Sequence, residues 1–170
     1  MLGILAATFV PPRTETIVLP FGPLQALDGR SFEMPGRTLE VTWPAFLRVG
    51  ESGPVEVEIS AGGQPEGLSM TAAARLDLPA LAGQPAEAGG MMLDGQPVRF
   101  AWDVLAREAG EQKGLLWLSI WVEGEETPGQ EIAVMARPVQ IPVRNPLGWR
   151  IAAGVGLAAA GAFILRRFDR

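Results

Sequence analysis

Cysteine and histidine are both absent from the 170 residues. That removes thiol nucleophiles, disulfide frameworks, thiolate or imidazole metal sites and every triad built on histidine. What remains for proton transfer is carboxylate. Glu56 and Glu58 lie two apart in an alternating stretch and project from the same side of a strand, an arrangement that can share a proton or bind a cation. Nothing else in the sequence converges on them and no calcium-loop pattern surrounds them, so a solvated strand face is the stronger reading. Glu123, Glu125 and Glu126 form an acidic turn and read the same way. The glycines are scattered as turn residues, and none makes a phosphate-binding loop between a strand and a helix. No serine occupies a Gly-x-Ser-x-Gly elbow. The sequence predicts a protein that is not an enzyme and that carries no cofactor or metal.

The most informative side chains are apolar. Leu115–Val122 reads LLWLSIWV. In a strand, Leu116, Leu118, Ile120 and Val122 share one face, while Leu115, Trp117, Ser119 and Trp121 share the other. Two tryptophans beside a serine describe a half-covered surface. Either both faces are buried, for instance beneath an N-terminal arm, or Trp117, Trp121 and Leu115 form a contact patch for a partner, since tryptophan is enriched at interface hot spots.

The elements that must position this patch are strands. Thr38–Trp43 is followed by Pro44 and the turn Gly50–Pro54. Val55, Val57 and Ile59 alternate with Glu56 and Glu58. Met70, Ala72, Ala74, Leu76 and Leu78 alternate with Thr71, Ala73, Arg75 and Asp77. Val98, Phe100, Trp102 and Val104 alternate with Arg99, Ala101 and Asp103. Ile132–Val143 is a long extended run, made an edge or bent strand by Pro138 and Pro142. Thr16–Leu19 adds one more strand, and nothing between residues 36 and 145 has a helical period. About seven short strands punctuated by Gly and Pro predict an all-β antiparallel sandwich.

Trp43-Pro44, then Arg48-Val49-Gly50, then the alternation of Val55–Ile59 resemble the opening of an immunoglobulin- or fibronectin-like bacterial domain. Gly95–Trp102 followed by Gly114–Leu118 is similar to the later strands of such domains. The resemblance covers residues 36–145, is loose, and concerns architecture only. The immunoglobulin disulfide is absent. Proteins of this look are often membrane-anchored, and the resemblance implies no activity.

The two ends differ from the body. Ile151–Leu165 contains no charged or polar residue. Its fifteen residues span about 23 Å as a helix, while a hydrocarbon core of ~30 Å needs about 20 residues. Leu147, Gly148 and Trp149 on one side and Phe168 on the other close that gap. Trp149 suits the membrane interface, and Arg150, Arg166 and Arg167 can snorkel outward. An interfacial helix would need a charged face, which this stretch lacks. Small residues recur at four-residue spacing, Ala152, Gly156 and Ala160 on one line and Gly154, Ala158 and Ala162 on another, a surface that lets a second helix approach closely. The apolar end and arginine cluster resemble a cell-wall sorting signal, but no LPxTG-type motif precedes them, so a permanent anchor is expected. Arg166, Arg167 and Arg170 favour a cytoplasmic C-terminus and an extracytoplasmic sandwich, with Arg144 and Arg150 weighing against. The apolar run Met1–Val10 has no preceding positive charge and is short for a signal sequence. It reads as a degenerate signal or anchor, as the continuation of an upstream start, or as an apolar arm.

Residues 1–147 hold eighteen acids against ten bases, and this acidic body argues against nucleic acid. The expected organisation is a Pro-rich arm over 1–35, an immunoglobulin-like sandwich over 36–145, and a transmembrane helix with a short basic tail over 146–170. The five residues of Arg144–Gly148 reach at most about 17 Å, which holds the sandwich close to the bilayer. The functional expectation is a non-catalytic accessory subunit of a larger membrane complex, with a respiratory or photosynthetic assembly as one host of that kind. Its partners would be integral membrane subunits and the lipid bilayer. The alternative is a freestanding anchored module that binds a ligand or another cell-surface protein.

Overall fold

The structure, a computed structural model, describes residues 13–145 except 27, 28, 80, 85, 86 and 126. Trp149, Arg150, Arg166, Arg167, the small-residue lines from Ala152 to Ala162 and the run Met1–Val10 lie outside the described residues. Among the described residues every regular element is a strand, and no helix is long and apolar enough to cross a membrane.

The described residues form twelve strands where the alternation pattern predicts about seven. They are β1 (Thr14–Pro20), β2 (Leu24–Gln25), β3 (Ser31–Phe32), β4 (Thr38–Pro44), β5 (Leu47–Arg48), β6 (Ser52–Ile59), β7 (Leu68–Asp77), β8 (Leu81–Gln84), β9 (Glu87–Met92), β10 (Val98–Ala106), β11 (Gly110–Gly124) and β12 (Thr127–Arg144). Two five-stranded sheets result, in the orders β1-β4-β6-β10-β8 and β5-β12-β11-β7-β9, beside a two-stranded β2-β3 ribbon. Residues 14–32, which the sequence places in the arm, thus carry three strands, and β1 is paired with β4 along its whole length.

The pairing is antiparallel except between β12 and the short β5. The core is the apolar half of each alternation. Val55, Val57 and Ile59 on β6, Phe100, Trp102 and Val104 on β10, and Leu116, Leu118, Ile120 and Val122 on β11 are all buried between the sheets. Intervening residues face outward, as period-two side-chain geometry requires.

β12 departs from that regularity. Its register against β11 shifts between Leu118 and Ser119, because Met135 faces Leu118 while Ala133 faces Ser119. Val134 is the extra residue of a β-bulge. The buried positions accordingly change parity, from Ile132 before the bulge to Val139, Ile141 and Val143 after it. Among the described residues β12 is partnered on its outer side only at Val143 and Arg144, by β5. Pro138 and Pro142 therefore sit on an edge strand that is also bent, as their sequence pattern predicts.

One buried charge holds a loop to this frame. Arg37, in the turn before β4, donates from Nε to the Gly63 carbonyl (3.1 Å), from Nη1 to Ser60 (3.0 Å) and from Nη2 to Gly62 (3.1 Å). A Cβ on Gly62 would lie 2.5 Å from Arg37 Cγ, so glycine is required where the loop wraps the side chain. Burial pushes the Arg37 pKa down and the more distant Asp94 carboxylate pulls it partly back.

Candidate functional site

The two outer faces of the sandwich are unlike. On the β1–β8 sheet the outer side carries Glu40, Glu58, Arg99 and Asp103. Arg99 donates to the Glu56 carboxylate, and that hydrogen bond and charge, with Glu58 nearby, hold the Arg99 pKa above its usual value. Glu56 and Glu58 thus share their face with an arginine. Glu123 and Glu125 are exposed at the β11–β12 hairpin end, and Glu126 lies outside the described residues. Among the described residues no group of three acidic side chains is placed to hold a metal ion.

The outer side of the other sheet is apolar at its centre. Trp117 and Trp121 are 43% and 46% exposed, although β11 is the middle strand of its sheet and its opposite side is fully buried. Register places the neighbours in rows. Arg75, Trp117 and Ala136 form one row across β7, β11 and β12. Ala73, Ser119 and Ala133 form the next, and Thr71, Trp121 and Glu131 the third, extended across β9 by the exposed Met92. Small side chains thus lie between two large ones about 13 Å apart, at ~3.3 Å per strand residue. The result is an open notch of about 360 Å³, walled by Trp117, floored by Ala73, Ser119 and Ala133, and flanked by Arg75 and Glu131. Trp121 lies against Gly129, where a Cβ would come 2.6 Å from its Cζ2, so the hairpin end fixes the second indole. Leu115 shares this side, half-buried in the row of Asp77 and Pro138, and does not line the notch.

Such a surface suits non-covalent capture of an apolar or aromatic group, with Arg75 and Glu131 as polar anchors of opposite sign. Sequence spacing brings Trp117 and Trp121 together. It does not reveal Ala73, Arg75, Glu131 or Ala133, because those arrive from other strands and depend on register. Their only sequence signal is the small outward residue at Ala73 and at Ala133.

No known family model matches the chain, and no curated protein is similar to it in sequence. Among solved structures it is similar to an ASH/PapD-like domain of human CEP192 (PapD-like domain 7), with TM-score 0.38 and 8% identity over 59% of this chain and 78% of that one. It is also similar to WR4, a C. elegans MSP family member, with TM-score 0.33 and 9% identity over 59% of this chain and 94% of that one. Likenesses this distant say nothing of what the chain binds. The all-β sandwich rests on its own hydrogen-bonded register.

Proposed function

We propose that this chain is a non-catalytic accessory subunit of a larger membrane protein complex. In this reading an immunoglobulin-like sandwich is held at the bilayer surface, outside the cytoplasm, by a C-terminal helix over 151–165. The helix packs on a partner through Ala152, Gly154, Gly156, Ala158, Ala160 and Ala162, and the sandwich caps the same partner through Trp117, Trp121 and Leu115. The observation that carries the reading is the contrast of outer faces. One sheet presents charged side chains to water, among them the Arg99–Glu56 ion pair, while the other presents two half-exposed indoles over a small-residue floor. Exposed tryptophan of this kind is favourable where a partner covers it. The end of β12 fits as well. Arg144 is held by Val49 N–H on its carbonyl (3.1 Å) and by Phe46 beneath its guanidinium (4.6 Å). The link to the anchor then follows the end of β12 at Arg144.

The test is the native mass of the full chain, solubilised gently from its own membrane, with its companions identified. Companions in fixed ratio are expected, and they are lost from a Trp117→Ser/Trp121→Ser variant that unfolds within about 1.5 kcal/mol of the parent, because both side chains already stand half in water. A bare monomer in every detergent refutes the subunit reading. A variant that keeps its companions refutes the assignment of the face. The notch itself supports a second reading, a freestanding module that takes a small apolar or aromatic ligand. That reading gains if the monomer's tryptophan fluorescence shifts on titration with such compounds and the shift vanishes in Trp117→Ser.

A further inference from the structure

Open strand edges are templates for pairing with another chain, and folded proteins normally blunt them. Here most edges are blunted. β8 is only four residues long. β9 carries a register irregularity against Ala72–Ala74, with Gly90 at φ 76°. On β12 the Arg144 carbonyl accepts from Val49, so even-numbered residues after the bulge turn their backbone polar groups outward. Pro138 and Pro142 share that parity, which removes two N–H groups from the open side.

β1 is built differently. Ala45 N–H donates to the Arg13 carbonyl at 2.6 Å and Phe21 N–H to the Arg37 carbonyl at 3.3 Å. Both pairs continue the β1–β4 register at its two ends, so the odd-numbered residues direct their backbone groups to β4. Thr14, Thr16 and Val18 therefore turn N–H and C=O to the open side. Among the described residues no backbone group meets them there. Val18 is 62% exposed, Glu15 is the one charged residue of the strand, and the only proline is terminal Pro20.

We propose that β1 pairs antiparallel with β1 of a second copy of this chain, about a two-fold axis at Thr16, joining the two five-stranded sheets into one of ten. Thr16 then faces its own copy and Thr14 faces Val18, so all three open residues complete their ladder bonds on both chains. Glu15 faces Ile17. A two-fold centred on Glu15 would set like charges directly opposite, which is destabilising. One centred on Ile17 would set Pro20, which has no N–H, opposite Thr14 and leave the Thr14 carbonyl unpaired. An isologous contact needs no second complementary surface, and this one leaves the Trp117/Trp121 face free.

The chain has no cysteine, so Thr16→Cys in the full, gently solubilised protein introduces a single thiol. Directly opposed residues of a hydrogen-bonded pair are about 5.5 Å apart at Cα, within reach of a disulfide. Mild oxidation is expected to give a covalent homodimer. Ala101→Cys, exposed on β10 in mid-sheet, is expected to stay monomeric. Adding Val18→Pro to Thr16→Cys is expected to abolish the dimer without moving the unfolding midpoint, since the Val18 N–H bonds to nothing within the sandwich. Monomeric Thr16→Cys, cross-linking to a different protein, or a dimer that forms equally from Ala101→Cys or survives Val18→Pro overturns the proposal.

Discussion

Replacing Arg37 tests how this sandwich tolerates a buried cation. Arg37 is 3% exposed, and its guanidinium donates to the carbonyls of Ser60, Gly62 and Gly63, with no carboxylate in direct contact among the described residues. A hydrogen bond from a charged donor contributes roughly 1.5–3 kcal/mol. Three of them set a ceiling that two effects lower. Burial of the charge opposes folding, consistent with the depressed pKa. Ser60 and Gly62 are only half-buried and Gly63 is exposed, so water can replace part of what is lost. Arg37→Met, which keeps the apolar stem, is expected to cost about 3 kcal/mol. Arg37→Lys, a point charge without the fixed fork, is expected to cost about 2 kcal/mol. The assay is urea unfolding of the full chain followed by tryptophan emission, with an unchanged denaturant slope showing that only stability moved. Amide exchange adds a local readout. Gly63 N–H bonds to the Pro35 carbonyl at 3.0 Å and Gly62 N–H to Gly95 at 3.3 Å, and both should lose protection. A loss below about 1 kcal/mol with Gly63 still protected would refute the reasoning, because the loop would then be held by its backbone contacts alone.

Trp102 is buried and its Nε1–H has no hydrogen-bond partner among the described residues. Trp102→Phe should therefore cost under about 1 kcal/mol in urea unfolding, since the lost ring area is offset by removing an orphaned donor; a loss above about 3 kcal/mol would show that the donor is satisfied. Stability should change little from about pH 6 to 9, because the chain has no histidine, and Arg37 (lowered by burial) and Arg99 (raised by Glu56) are arginines that titrate in the alkaline range. The Arg99 contribution is complete below its unfolded value and is lost only when pH rises through the raised folded value. The Arg37 penalty is relieved only on strongly alkaline deprotonation. A neutral-range slope in the unfolding midpoint would contradict this. Deleting Val134 removes the bulge and should abolish cooperative folding. Either Ile132 or the three residues Val139, Ile141 and Val143 must then face water, and at ~1.5–3 kcal/mol each the latter approaches the whole stability of a domain. A soluble, cooperatively unfolding variant would contradict it.

The long alternating strands are legible because one face is apolar and the other is not. β6, β7, β10 and β11 bury the residues that alternation assigns to the core, among them Val57, Ala74, Phe100 and Leu118. The pieces that carry no alternation are illegible. β2, β3 and β5 are two residues long, and β8 and β9 (LAGQ and EAGGMM) are rich in Gly and Ala. Arg37 reads as an ordinary surface arginine, because its partners arrive from a loop 23 to 26 residues away. Trp117 and Trp121 are visible as outward residues, but their exposure depends on what covers β11, which spacing along one strand cannot give. The apolar run over 151–165, read from composition as a membrane anchor, lies outside the described residues.

The core and the notch make opposite demands on β12. The core needs Ile132 on one parity and Val139, Ile141 and Val143 on the other, and a regular strand cannot bury both sets. One inserted residue, Val134, resolves the conflict. The same insertion falls beside Ala133, which stands opposite Ser119 in the row of small residues between the tryptophans. Placed nearer the start of β12, the phase change would set Val134 opposite Ser119, and a larger side chain there would fill the floor on which the notch depends. Ala73, Ser119 and Ala133 come from three strands, so no local requirement of any one strand explains their common smallness. The shape of the outer surface does, which is why this face, and not the ion-paired one, is the place to look for a partner.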